Sequence, residues 1–492
     1  MATVPESTAI VSALRSGLVP SQGLEHFATG LDALMEAVNQ ELDFVEGGKG
    51  VSKWIRGEYG TGKTFAARYL CARARSRKFA TSEVQISISD TPLHHLETVY
   101  RRIIERIQTA ADGPNAFQAI IDGWLYQIGD EVSRLRGITE DDPGFADATE
   151  ERLEDKLADL SRRNAAYAQV LRAYHRATHE GDFKTAQGLL SWLSGQPHAD
   201  RSILKTAGVK GKVDGQASIT FLAGLLQVLR QSGYSGLVLV LDEVEVIQRM
   251  NAQTREKALD ALRKLMDALA KEELPGLYLV ITGTRDFFEG YKGLKSYTAL
   301  YQRVHVKFEE NAEFDNRRAP QVRLLPFSKA RLLTVGRRIR DLYPASYADR
   351  VGSKVDDAFL QALVDQVTAG FGGTITLAPR LFLRELVDVL DRVDQHEAYN
   401  PRAQYTLDLE DESKLTDEEV AAKHGRALTP DDNDNDNDND NDNDNDNDGY
   451  GDNHSDSDND SDNDNDSDND SDGDNDSDGE EPAEKKPRRL DG

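Results

Sequence analysis

The run Gly57-Glu58-Tyr59-Gly60-Thr61-Gly62-Lys63-Thr64 limits what this chain can become more than any other stretch. It fits the phosphate-binding-loop pattern in full: a glycine, four spacers, then Gly-Lys-Thr. The strand-like run VSKWIR precedes it and a helix-like run over 65–77 follows. That context turns a pattern into a site, because the loop must join a buried strand to a helix. Glycines let backbone N–H groups converge on a phosphate where a Cβ would clash. The helix N-terminus behind them adds partial positive charge. In such a loop Lys63 reaches the β- and γ-phosphates of a nucleotide, and the Thr64 hydroxyl ligates Mg²⁺. Phe65 opens the helix that follows.

Four further features follow in chain order. The apolar run GLVLVL over 236–241 reads as a buried parallel strand and ends in Asp242-Glu243. A carboxylate at that edge supports Mg²⁺, and the adjacent Glu243 polarises an attacking water as general base. The next apolar strand, 277–282, runs into Thr282-Gly283-Thr284, where Thr284 or Thr282 senses the γ-phosphate. Arg303 suits an arginine offered to a neighbouring subunit's phosphoryl group, with Arg285, Arg317 and Arg318 as rivals. Arg380 stands at the start of a late helix, from which it reaches back to the γ-phosphate and couples helix position to nucleotide state.

These motifs predict an α/β fold of the P-loop NTPase type. Residues 1–50 read as a helical lead-in, with Phe27, Leu31, Leu34 and Val38 at helical spacing over 24–42. Residues 51–326 form the core, with five parallel strands at 51–56, 83–89, 236–241, 277–282 and 322–325. Asp90-Thr91-Pro92 signals a helix start, and a helix runs over 98–107. A polar, helix-rich insertion occupies about 110–215, with one amphipathic helix over 150–175. It serves packing and a partner surface. Another helix spans 255–269. Residues 327–400 form a small helical lid from stretches 329–342, 356–367 and 379–393, and 401–430 is a linker.

The formal charge of −28 misleads, because 431–479 holds 23 Asp and no Lys or Arg, and setting those aside leaves −5. The Asp-Asn and Asp-Ser repeats from 431 to 492 have almost no apolar surface to bury, and composition predicts disorder. A calcium loop starting at Asp474 lacks its closing glutamate, since Lys485 stands there. The basic run Lys485-Lys486-Pro487-Arg488-Arg489 reads as a solvated end. A lone cysteine, Cys71, excludes an intrachain disulfide and fits a reducing compartment. No apolar run is long enough to cross a bilayer and no secretion leader is apparent, so a cytoplasmic protein is expected.

The order of motifs resembles the AAA+ ATPases, nearest their origin-recognition branch. More closely, the wording is similar to the BrxD family, ATP-binding proteins of BREX phage-defence systems. The segments carrying this are IRGEYGTGKTF (55–65), SDTPLHHLETVYRRI (89–103), GLVLVLDEVEVIQR (236–249), ELPGLYLVITGTRDFF (273–288) and APRLFLRELVDVL (378–390). The likeness runs from about 10 to 400 and leaves out the Asp-Asn tail. It implies ATP and Mg²⁺ as cofactors, and an ATPase acting beside a methyltransferase, a helicase and other defence components. A homo-oligomer is expected, since Arg303 is useful only at a neighbour's nucleotide. Alternatives are a slowly hydrolysing switch or loader on double-stranded DNA, touched by Arg101-Arg102 or Arg337 to Arg340, and a non-enzymatic scaffold.

Overall fold

A computed structural model describes residues 2–370 and 378–407. The acidic tail, its calcium-like start, the basic run and most of the linker lie outside the described residues. Helix α1 (Val4–Arg15) opens the chain, capped by Thr3 and Glu6 in a reciprocal capping box. Helix α2 (Asp32–Glu46) leads to strand β1 (Val51–Arg56), and α3 (Lys63–Ser76) follows the glycine loop. Then come β2 (Phe79–Gln85) and α4 (Leu96–Arg106). A helical region holds α5 (Phe117–Arg136), α6 (Phe145–Arg163), α7 (Ala165–His179), α8 (Phe183–Leu193) and α9 (Arg201–Thr206). Helix α10 (Gly215–Gln231) returns to β3 (Gly236–Asp242), α11 (Ala252–Ala270) and β4 (Leu277–Gly283). Helices α12 (Arg285–Glu289) and α13 (Thr298–Val304) precede β5 (Gln321–Arg323). The last described helices are α14 (Lys329–Leu342), α15 (Ala348–Lys354), α16 (Asp357–Gly370), α17 (Ala378–Gln395) and α18 (Pro401–Gln404).

All five strands are parallel, in the order β2-β3-β4-β1-β5. The register puts Gln85 opposite Asp242 and Arg56 opposite Gly283, so the carboxyl ends form one edge. Every residue of β3 and β4 is buried, as a sheet covered on both faces requires. Side chains alternate between two cores. Leu237, Leu239 and Leu241 face the α4–α11 side, while Val238 and Val240 face α2 and α3. Residues of α5 to α9 share the first of these cores with the sheet, so the inserted helices cover one of its faces. Cys71 is buried in the second core, and burial pushes its thiol well above the ordinary range.

Several elements depart from the sequence expectation for local reasons. Strand β2 starts four residues earlier than expected (Phe79 against 83) and ends at Gln85. Polar Thr81 and Ser82 hid it; Arg75 donates to the Thr81 hydroxyl at 2.8 Å, and Ser82 donates to the Ile103 carbonyl at 2.9 Å. The Ser87 hydroxyl then accepts from the Asp90 and Thr91 amides and turns the chain, so the helix starts at Leu96 instead of near Pro92. The expected helix over 150–175 is two, divided at Asn164, which caps α7. The lid gains α15.

The lead-in also divides. Gly30, at φ +69°, ends any helix from 24 onward. Phe27 joins α1 and the helices from α14 to α17 in a third core, whereas Leu31, Leu34 and Val38 pack against the sheet. The chain's first helix therefore packs with its last ones, and Arg15 forms a two-point ion pair with Asp391 at 2.7 and 2.9 Å.

Lys53 is fully buried in β1, where alternation alone predicts an ordinary strand residue. Its ammonium donates to the Ala319 carbonyl at 2.8 Å and pairs with Glu41 of α2 at 2.5 Å; the Tyr278 hydroxyl donates to the same carboxylate. Removing one partner strands the other in the core. Lys53→Ala or Glu41→Ala should lose about 3 kcal/mol of stability. Urea denaturation checks this, and Lys53→Met with Glu41→Gln should recover much of the loss.

Candidate functional site

The glycine loop sits where β1 leaves the sheet. The Gly57 amide donates to the Gly283 carbonyl at 3.1 Å, tying the loop's entrance to β4. A Cβ on Gly57 would lie 2.3 Å from the Thr61 hydroxyl, which itself donates to the Glu58 carbonyl at 2.8 Å. Gly60 and Gly62 hold φ of +76° and +89°, the left-handed region that favours glycine. Gly62 caps α3, so the first-turn amides of that helix have no side-chain acceptor at the cap. Such an end is suited to an anion.

Around this loop the strand ends converge. The Thr64 hydroxyl donates to Asp242 Oδ2 at 2.8 Å. The Thr282 hydroxyl, from the neighbouring strand, donates to Asp242 Oδ1. Glu243 turns the chain out of the sheet at φ +60°. Its amide lies 3.2 Å from both Asp242 Oδ1 and the Thr282 hydroxyl. The Gln85 amide nitrogen, at the aligned end of β2, donates to Glu243 Oε2 at 2.8 Å. Lys63 donates to the Gly57 carbonyl at 3.0 Å, lies 4.9 Å above the Tyr59 ring, and pairs with Glu245 at 3.4 Å. Burial raises the Glu245 carboxyl pKa; Lys63 opposes that shift, and Asp242 and Glu243 add to it.

Thr64 and Asp242 place two hard oxygen ligands side by side, a donor set that suits Mg²⁺. Of the two threonines at the end of β4, Thr282 touches Asp242, while the Thr284 hydroxyl accepts from the Phe287 amide and caps α12. Phe65 packs edge-on against Phe27 at 5.3 Å.

A cavity of about 320 Å³ opens beside the loop. Residues Tyr59 to Phe65, Glu243 and Glu245 line one side. Leu18, Phe27, Phe327, Val335 and Leu383 supply an apolar end from the first segment and the lid. Arg380 lines it too, and donates through Nε to the Gly17 carbonyl at 3.1 Å. Arginines hold this first segment by its carbonyls at other points as well: Arg68 on Val19 at 2.5 Å, Arg338 on Ala28, and Arg331 on Thr29 at 2.8 Å. Arg331 also stacks over Phe327 at 4.5 Å.

Arg303 lies apart from this group. It sits on α13 with 43% of its side chain exposed and pairs with Asp267 of α11. Among the rivals, Arg285 pairs with Glu289 at 2.8 Å. The Arg317 carbonyl accepts from Lys53, and the Arg318 amide donates to Asn316.

Gln85 and Glu245 escaped the sequence reading. Gln85 reaches Glu243 only through the β2–β3 register, which is non-local. Glu245 stood in plain view in the run Asp242-Glu243-Val244-Glu245, two residues beyond the carboxylate already singled out.

A glycine loop at the carboxyl edge of parallel strands, facing an Asp-Glu strand end, is the arrangement of a P-loop nucleotide-binding protein, and this α/β fold is compatible with that class. Residues 4–409 match the family model described as BREX system ATP-binding protein BrxC/D, and the chain belongs to that family. Membership supports an ATP-binding role in defence. No curated protein matches the chain. Among the described residues, no helix is long and apolar enough to cross a membrane.

Gly62→Ala should strain the loop by roughly 1–2 kcal/mol, because the left-handed conformation crowds a Cβ. Melting curves with and without Mg-ATP check this. The variant should melt somewhat lower and lose most of the rise that ATP gives the parent.

Proposed function

We propose that this protein is a Mg²⁺-dependent ATPase of the AAA+ type that drives conformational or assembly changes in a defence complex. The observation that carries the reading is the 2.8 Å hydrogen bond from Thr64 to Asp242, with Glu243 as the next residue. Lys63 neutralises the β- and γ-phosphates, and Thr64 and Asp242 hold the metal. Bound Mg²⁺ supplies charge neutralisation across those phosphates. Glu243 accepts the proton of the attacking water. Thr282 or Thr284 reports the γ-phosphate. Arg380 links the lid to the nucleotide, supported by its place on the cavity wall. Arg303, exposed on α13, serves a neighbour's site in a homo-oligomer. A methyltransferase, a helicase and double-stranded DNA are the partners this reading names.

A second reading, a slowly hydrolysing switch, is favoured by one contact. The Gln85 amide holds a Glu243 oxygen at 2.8 Å. A general base restrained in this way turns over slowly until a partner moves the β2 end.

Glu243→Gln should bind Mg-ATP and lose hydrolysis by about 10²- to 10⁴-fold. Hydrolysis at the parent rate in a variant that still binds ATP removes Glu243 from the reaction. Gln85→Ala distinguishes the two readings in a phosphate-release assay. Several-fold faster basal turnover supports the restrained switch, and an unchanged rate supports the unrestrained ATPase.

A further inference from the structure

Glu245 has no task in the reading above, and its surroundings call for one. It lies in the short 3₁₀ helix Val244–Arg249 that follows the Asp242-Glu243 strand end. Its side chain is 3% exposed. Among the described residues no other residue donates a hydrogen bond to either carboxylate oxygen, and its own backbone amide is the one donor that acts on it. A buried carboxylate so sparsely hydrogen-bonded is costly unless a cation compensates it. The cation here is the Lys63 ammonium at 3.4 Å.

The charged groups around it are few. Lys63 comes from the start of α3, and Asp242 and Glu243 from the end of β3. On α12, Asp286 accepts from Gln248 at 2.8 Å; on α11, Arg255 donates to the Met250 carbonyl at 2.8 Å. The Lys63 ammonium is held on its other side by the Gly57 carbonyl at 3.0 Å. Lys63 is thus folded back against its own loop by a carbonyl and a carboxylate.

We propose that Glu245 is the resting counter-ion of Lys63, which the ammonium leaves when it moves to nucleotide phosphate, so that Glu245 competes with the phosphates and sets their affinity. This rests on the ATP-binding reading and deepens it. When Lys63 departs, Glu245 keeps two acidic neighbours, and a polyanionic ligand joins them. Its charge then keeps no cation, only its own backbone amide, and it takes up a proton from solvent. Burial already disposes the carboxyl that way. The sign follows from linkage: a ligand whose binding takes up a proton binds more weakly as pH rises. Glu245 is a positioning residue, acting through Lys63.

Calorimetry on the full chain tests this, with Mg-ATP and with AMP, in two buffers of different ionisation enthalpy. The pH is kept above ~7, where the terminal phosphate is already ionised. The parent should take up a proton on binding ATP, with affinity falling as pH rises. Glu245→Gln, matched in shape, should bind ATP roughly tenfold tighter, without proton uptake and with AMP affinity unchanged. A folded Glu245→Gln protein, judged by its melting curve, that binds ATP no tighter overturns the proposal. So does a parent that binds ATP without proton uptake, a measurement that stands even if the variant does not fold. A parent that binds no ATP overturns the nucleotide reading and this proposal together.

Discussion

The Asp242 carboxylate is shared by three parts of the chain that are far apart in sequence. Thr64 reaches one oxygen from the first turn after the glycine loop, and Thr282 reaches the other from the next strand. The Glu243 amide closes the group at 3.2 Å. Because β4 lies between β1 and β3, this carboxylate bridges across a strand that carries no acid of its own there. Parallel register is what makes the bridge possible, since it sets all the carboxyl ends on one edge. The loop, the acid and the strand-end threonine are then fixed by the sheet, and the inserted helices stiffen that sheet by covering one face.

The other half of the cavity is built differently. No strand passes through it. The segment from Gly17 to Thr29 is held by arginine side chains gripping its carbonyls, three of them on α14 or α17 and one on α3. Backbone carbonyls carry no charge, so these contacts fix position without themselves neutralising a guanidinium; Arg68 is in addition paired with Glu83 at 3.1 Å. The apolar lining from Phe27, Phe327 and Leu383 belongs to this half. One wall of the cavity therefore belongs to the sheet edge and carries Lys63, Glu243 and Glu245, and the other is assembled from the first segment and the helices after β5, with Arg331 and Arg380 on it.

Much of this was legible in the sequence, for specific reasons. Strand β1 and helix α14 run where the pattern puts them, because each is bounded by residues that end regular structure, Gly57 in one case and Ser328 in the other. Lys63, Thr64, Asp242 and Glu243 stand out because each sits in a short local pattern, the glycine loop or the apolar run that ends in two acids. What stayed hidden depends on contacts between distant segments. Thr81 and Ser82 look unlike a buried strand until their hydrogen-bond partners are known. Lys53 reads as an ordinary strand position until Glu41 is brought beneath it. Phe27 fits the spacing of the helix that follows it, and only the conformation of Gly30 sends it to another core.

The division at Gly30 bears on how the two halves of the cavity can move. Helix α1 shares a core with α14 to α17, yet the chain enters the sheet region after Gly30 and leaves it again after β5. The lid is thus joined to the sheet by two covalent crossings, near Gly30 and near Phe327. A body hung from one thread can swing and twist in any direction, whereas one hung from two is more restricted. The two crossings fall where the third core, shared by α1 and the helices after β5, gives way to the cores of the sheet. Phe327 and Arg331 lie beside the second crossing, and Arg380 of α17 grips the first segment at Gly17, so both tethers are held by side chains from the same group of helices.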